Sequence, residues 1–307
     1  MSSSAKKQVP VGSRDDLQID PSRCLRTRFS ESVCNHCQAI CPAAALSLED
    51  GLVINQEQCS GCLLCTTVCP SGALEQQADF QAIILQLRKV PKPVLGCCRS
   101  KEQAHAWLSC LGGLAEEHLL TLSQRLSGAL TLNLIHCDDC PNSAILPLLK
   151  ERLQRMTASG LTAGGCNLVT ATSQVELQYQ PETVDRRSFF TSFRNSLFQA
   201  AADVMQTSAK PVERSSSYGD KRIPQRRELL NQTRSSLPEE QQATAAKQFD
   251  HSIRFNTACS ACQGCVAICP TGALVSNVQE EHPEFVQERC TGCGLCVEFC
   301  LDQAIRL

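Results

Sequence analysis

The chain has 307 residues, of which 22 are cysteine and only 4% aromatic, and its formal net charge is −2. A chain this long can bury an ordinary core, so small size does not account for the cysteines, and the near-neutral charge selects no nucleic-acid partner. Disulfide-dense chains are usually short and exported. Here residues 1–16 (MSSSAKKQVPVGSRDD) hold no apolar stretch after the lysines and no twin arginine, so a cytoplasmic chain without a signal peptide is expected. No apolar run approaches the roughly 18 residues of a membrane span. Abundant cysteine then predicts bound metal rather than disulfides.

Residues 1–20 read as a polar tail. Residues 21–80 carry Cys24, then CNHCQAICP with Cys34, Cys37 and Cys41, then CSGCLLCTTVCP with Cys59, Cys62, Cys65 and Cys69. PAAAL at 42–46 predicts a helical turn, and Asp50-Gly51 between Leu46-Ser47-Leu48 and Leu52-Val53-Ile54 predicts a two-strand turn. Residues 88–175 change character. Segments 93–97, 104–110, 130–137 and 166–171 read as short buried strands. Segments 114–126 and 143–156 read as helices, with Leu119, Leu122 and Leu126 on one face of the first and Ile145, Leu148, Leu149 and Leu153 on one face of the second. Strands alternating with helices predict a small parallel α/β domain. Cys97, Cys98, Cys110, Cys137 and Cys140 fall at strand ends, where the loops of a parallel sheet converge on one edge. Cys166, after Gly164-Gly165, reads as a buried strand residue.

Residues 176–206 predict a helix. Its amphipathic part opens at Asp185 and sets Phe189, Phe193 and Leu197 at i, i+4 and i+8, a stripe suited to core packing. Residues 207–250 read as a polar linker with one helix at 224–236. Within it Lys210, Arg214, Lys221, Arg222, Arg226, Arg227 and Arg234 oppose Glu213, Asp220 and Glu228. That excess suits a solvated face, a contact for an acidic redox partner, or a contact for the cysteine-bearing modules themselves. Residues 251–307 repeat the first module: CSACQGCVAICP holds Cys259, Cys262, Cys265 and Cys269, PTGAL follows at 270–274, and CTGCGLCVEFC holds Cys290, Cys293, Cys296 and Cys300.

Three of the four runs share C-x2-C-x2-C-x3-C; the first has nine residues between Cys24 and Cys34. An iron–sulfur cube needs four thiolates at the corners of a tetrahedron. C-x2-C-x2-C supplies three from one tight turn, and in the bacterial pattern the cysteine before proline serves the other cluster of the pair. Zinc also takes paired C-x2-C units, but a zinc ribbon has no need of the third cysteine or of the following Cys-Pro.

On these motifs both outer regions, about 21–75 and 256–307, resemble bacterial-type ferredoxins with two 4Fe-4S clusters, arranged in tandem as in a polyferredoxin. The resemblance implies Cys24, Cys34, Cys37 and Cys69 for one cluster and Cys59, Cys62, Cys65 and Cys41 for the next. At the other end it implies Cys259, Cys262, Cys265 and Cys300, then Cys290, Cys293, Cys296 and Cys269. The insertion after Cys24 departs from the pattern, as does Leu301 in place of proline after Cys300. The order of strands and cysteines over 93–172 resembles the delta subunit of methyl-viologen-reducing hydrogenases. That resemblance implies a further iron–sulfur cluster among Cys97, Cys98, Cys110, Cys137 and Cys140; the alternative is a set of small buried thiols. His36 and His136 either tune a cluster by hydrogen bonding or are solvent-facing neighbours.

The fold class expected is α+β: two ferredoxin-like dicluster modules flanking a small α/β parallel-sheet domain and a helical, polar linker. The function implied is electron transfer, not catalysis. It would be that of a wiring subunit or adaptor for a larger oxidoreductase such as formate dehydrogenase or hydrogenase. The alternatives are a subunit with a central reductive or bifurcating cluster site, and a carrier for iron–sulfur or metalloenzyme maturation. No dinucleotide fingerprint or P-loop is present, since Gly112-Gly113 and Gly164-Gly165 lack the spacing, and few aromatics are available to stack on nucleic acid. Four tetrathiolate cubes of about −2 each would bring the loaded chain near −10.

Overall fold

A computed structural model describes residues 15–181, 219–277 and 282–307. Strand β1 (Leu17–Ile19) begins inside the segment expected to be a polar tail, because Leu17 is buried and the strand pairs antiparallel with β4 (Leu74–Gln76), Ile19 facing Leu74. Between them lie helix α1 (Leu25–Arg28), α2 (His36–Ile40), the antiparallel pair β2 (Leu46–Ser47) and β3 (Val53–Ile54), and α3 (Leu64–Val68). Helix α4 (Phe80–Leu87) follows. The Asp79 carboxylate accepts from the Ala82 amide at 2.9 Å to start it, and Phe80, Ile84 and Leu87 form its buried stripe.

A four-stranded sheet comes next, all parallel, in the order β6 (Ala106–Leu108), β5 (Val94–Cys97), β7 (Ala129–Asn133), β8 (Asn167–Ala171). Helices α5 (Glu116–Arg125) and α6 (Ile145–Ala158) connect its later strands. The strand expected over 130–137 stops at Asn133. There the Asn133 side chain accepts from the Ile135 amide at 3.3 Å, and the Cys137 amide turns back to the Leu134 carbonyl at 2.9 Å. Cys166 is wholly buried just before β8, at the amino end of the sheet, with its amide on the Ser123 carbonyl at 2.6 Å.

Residues 219–250 are more ordered than a linker. They form two helices, α7 (Gln225–Arg234) and α8 (Glu239–Phe249), which bury Leu229, Leu230, Ala245 and Phe249 in the same core as the N-terminal module and the sheet. Helix α8 was hidden in the sequence because only Ala245 and Phe249 form its buried face. The basic excess turns inward. Arg222 pairs with Glu75 at 2.7 Å, Arg226 donates to the Cys69 carbonyl at 2.9 Å, and Lys221 donates to the Val266 carbonyl. These side chains therefore contact the cysteine-bearing modules, the third of the roles their composition allowed. Residues 177–181 carry no regular structure, and the rest of the helix expected over 176–206 lies outside the described residues, with Phe189, Phe193, Leu197, Lys210, Glu213 and Arg214.

The C-terminal module repeats the N-terminal one: β9 (Arg254–Phe255), α9 (Gly264–Ile268), β10 (Leu274–Val275), β11 (Glu284–Phe285), α10 (Leu295–Phe299) and β12 (Ile305–Arg306), with β9 paired to β12 and β10 to β11. The modules meet through Leu25, Ile268 and Leu295 and through an edge-to-face pair of Phe29 and Phe299 at 5.3 Å. Among the described residues no helix is long and apolar enough to cross a membrane.

His118 on α5 joins these layers. It stacks on Phe80 at 4.3 Å, and its Nδ1 accepts from the Ala115 amide at 3.1 Å. Burial, then Arg226 and Arg152, lower its pKa from 6.5 to about 3. As pH falls below 6.5 the unfolded chain takes up a proton that the folded chain refuses until about pH 3. Stability should therefore drop by up to about 1.4 kcal/mol per pH unit in that window. Urea midpoints at pH 7 and 5.5 check this: His118→Gln should flatten the dependence, and an unchanged slope in the variant contradicts it.

Candidate metal centres

The cysteine turns are shaped by backbone in the left-handed region. In the three regular runs the residue after the second cysteine has positive φ: Leu63 at 59°, Gln263 at 60° and Gly294 at 75°. So does the residue before it: Gly61 at 71°, Ala261 at 55° and Gly292 at 64°. Two such reversals in five residues wrap the turn around its own centre. The run beginning at Cys34 differs, since Asn35 has φ −139°. There the first cysteine, Cys24, comes from the start of α1, which is the content of the nine-residue insertion.

The residue three after each fourth cysteine is also left-handed: Ala44, Gly72, Gly272 and Gln303. That conformation aims the next amide back at the sulfur. The amides of Ala45, Ala273 and Ala304 each donate to the Sγ of Cys41, Cys269 and Cys300 at 3.3 Å. Burial raises the Cys269 thiol pKa, but hydrogen bonds from Thr271, Ala273 and Leu274 outweigh it and leave the group below its ordinary value. Sequence reasoning missed these contacts. Their signal was the alanine four residues after the cysteine: Ala45 after Cys41, Ala273 after Cys269 and Ala304 after Cys300.

The thiols gather in fours. One cavity is lined by Cys24, Cys34, Cys37 and Cys69. The next is lined by Cys41, Cys59, Cys62 and Cys65. A third, larger and with Cys262 exposed, is lined by Cys259, Cys262, Cys265 and Cys300. Cys269, Cys290, Cys293 and Cys296 form the fourth group: burial, then Cys269, Cys296 and Cys290, push the Cys293 thiol up. Burial pushes Cys37 up to about 12, followed by Cys69, Cys24 and Cys34. Thiols held so far from ionisation release protons when they bind metal. Among the described residues, no three cysteine, histidine or acidic side chains converge closely enough to hold one ion between them. In three groups the four thiols ring a cavity, the arrangement that a multi-iron cube needs.

Cys97, Cys98, Cys110, Cys137 and Cys140 also line one cavity, with Arg99 and His136, at the carboxyl edge of the sheet. Burial raises Cys110 to about 12 and Cys137 to about 11. Gly112 is required beside them. A Cβ there would lie 2.3 Å from the Cys62 carbonyl oxygen and 2.7 Å from the Ile145 side chain. Gly112→Ala should therefore cost about 1–3 kcal/mol through overpacking against backbone. Denaturant titration reads this directly, and a loss under about 0.5 kcal/mol would contradict so close an approach. His36 lines the cavity of Cys24, Cys34, Cys37 and Cys69, and its backbone amide donates to the Cys34 thiol, against the rise that burial gives that group.

Residues 251–301 match the family described as 4Fe-4S dicluster domain, and residues 31–80 match the LdpA Fe-S cluster-binding domain. The chain is thus an iron–sulfur protein carrying ferredoxin-like, 4Fe-4S cluster-binding modules. An uncharacterized ferredoxin of Methanocaldococcus jannaschii is 34% identical over 78 residues, covering 24% of this chain and 47% of that one. One subunit of an ion-translocating oxidoreductase complex from Methanosarcina acetivorans is 45% identical over 49 residues, 16% of this chain and 18% of that one. A hydrogenase-4 component of Escherichia coli is 42% identical over 48 residues, 14% of this chain and 23% of that one. The chain spans less than half the length of each of these relatives. No solved structure matches it. Both family matches lie outside residues 93–172, so the resemblance of that stretch to the hydrogenase delta subunit finds no support in them. The class that the cysteine turns and these matches define is that of proteins with iron–sulfur cluster-binding modules.

Proposed function

We propose that the outer modules hold four 4Fe-4S clusters and that the chain conducts electrons to or from a larger oxidoreductase. The observation that carries this reading is the composition of the cavities: two gather three thiols from one cysteine turn and a fourth from the other turn of the module, and one gathers Cys34 and Cys37 from a turn, Cys24 from the start of α1 and Cys69 from the other turn. Cys24, Cys34, Cys37 and Cys69 would hold one cluster, and Cys59, Cys62, Cys65 and Cys41 the second. Cys259, Cys262, Cys265 and Cys300 would hold the third, and Cys290, Cys293, Cys296 and Cys269 the fourth. Each cluster, when bound, accepts and releases a single electron. The chain's own part is to bury the thiolates, exclude water and hold amide donors on Cys41, Cys269 and Cys300, which stabilise the added negative charge. The partner favoured is a redox complex, because two relatives are named as components of an ion-translocating oxidoreductase and of a hydrogenase. Formate dehydrogenase and hydrogenase systems are the first to try.

Reductive titration of the anaerobically purified chain tests the reading. Clusters that reduce and reoxidise without loss of iron, and that pass electrons to an artificial acceptor, are expected. Transfer of the iron to an apo-protein would favour a maturation carrier instead.

A further inference from the structure

The strand order β6-β5-β7-β8 reverses direction at β5, the first strand in sequence. In open parallel sheets, ligands bind outside the carboxyl ends of the strands at such a switch point. Here Cys97 ends β5, Cys110 follows β6, and Cys137 and Cys140 follow β7, so the central cavity occupies that place. Cys97, Cys110 and Cys137 are 8%, 5% and 6% exposed, Cys140 is half-buried, and Cys98 is exposed. Cys97 ends β5 and is buried, whereas Cys98 opens the turn that follows and is exposed, so Cys97 is the ligand of the pair.

The cavity abuts the N-terminal module. Asn142 Nδ2 donates to the Ser60 carbonyl, inside the Cys59–Cys62 turn, at 3.2 Å, and approaches Cys110 Sγ at 3.8 Å. Gly112 brings the 110–113 loop against Cys62. Within that module helix α2, which holds Cys37, packs on helix α3, which holds Cys65. On its far side Cys34 and Cys293 pack into one apolar cluster with Leu25 and Leu295. Within the C-terminal module Cys265 and Cys296 pack into one buried cluster with Leu274 and Ile305.

We infer that Cys97, Cys110, Cys137 and Cys140 hold a fifth iron–sulfur cluster. It forms the inner end of a single file that continues through the groups of Cys62, Cys37 and Cys293 and ends at the group of Cys262. The order rests on the four-cluster reading above; the fifth site does not. Electrons entering at the exposed Cys262 end would have one route, and that route ends beside Cys98 and Arg99 at the sheet edge.

Iron, sulfide and zinc analysis of the full chain, purified anaerobically, with EPR of the reduced form, tests the inference on the wild type and on Cys137→Ser, Cys140→Ser and Cys98→Ser. The wild type should hold more than the about 16 iron atoms of four cubes. Cys137→Ser, or Cys140→Ser if the first fails to fold, should return the count to about 16 with the remaining signals intact, while Cys98→Ser keeps the full load. A wild-type count of about 16 that no central substitution changes overturns the fifth cluster and leaves the four standing. A count below about 16 with the central loss still visible faults the four-cluster reading instead. Zinc in the central site overturns the inference. Spin–spin broadening of a neighbouring signal should disappear in Cys137→Ser; a fifth signal without such broadening overturns its place in the file.

Discussion

Cys69→Ser should remove the cluster of the Cys24, Cys34 and Cys37 group while leaving the one built on its own run, Cys59, Cys62 and Cys65. The reason is that Cys69 caps the end of α3 and lines the other cavity. Iron should fall by about four atoms. The decisive comparison is non-additive. Cys69→Ser combined with Cys24→Ser should lose no more than either alone, whereas Cys69→Ser combined with Cys65→Ser should lose about eight. The reverse pattern, with Cys69 additive to Cys24 but not to Cys65, would mean that each run closes its own cluster.

The second large effect is expected far from any thiol. Asp250 follows α8 and accepts from Arg227 at 3.0 Å and from Arg234 at 2.5 and 2.8 Å. Arg227 is 4% exposed and also donates to the carbonyls of Phe249 at 2.7 Å and Glu288 at 3.1 Å. This carboxylate therefore ties α7 and α8 to the loop that carries Cys290. Asp250→Ala leaves a buried guanidinium without its counter-charge, a change that typically costs about 3–5 kcal/mol. The control is Asp302→Ala, whose exposed contact with Ser260 should be nearly silent. Denaturant midpoints of the two variants measure the difference, and equal midpoints would mean that the Arg227–Asp250 contact carries no stability.

The groups of four thiols were legible because cluster ligation is written locally: C-x2-C-x2-C dictates one turn, and Cys-Pro marks the ligand that leaves it. The insertion after Cys24 was legible only as a departure. The structure supplies its use, since it forms α1, whose Leu25 and Arg28 face the C-terminal module, with Arg28 on the Ile268 carbonyl at 3.3 Å. Gly112-Gly113 shows in the sequence only as a pair without phosphate-motif spacing. Its reason lies in a chain segment about fifty residues earlier, which no local pattern can display. The same holds for Asn142, whose partners Ser60 and Cys110 are distant in sequence, and for the basic residues of 221–227, whose partners Glu75, Cys69 and Val266 lie in other modules. Helix α8 escaped because two buried residues, Ala245 and Phe249, give a weak periodic signal.

The most direct measurement is the joint iron, sulfide and zinc content of anaerobically purified Cys137→Ser chain, with Mössbauer spectra of the same sample. Four cubes in the outer modules require about 16 iron and about 16 sulfide per chain, every iron in a 4Fe-4S environment, and no zinc. Zinc in place of iron, or fewer than four cubes in a fully folded chain, would contradict the assignment of the sixteen cysteines.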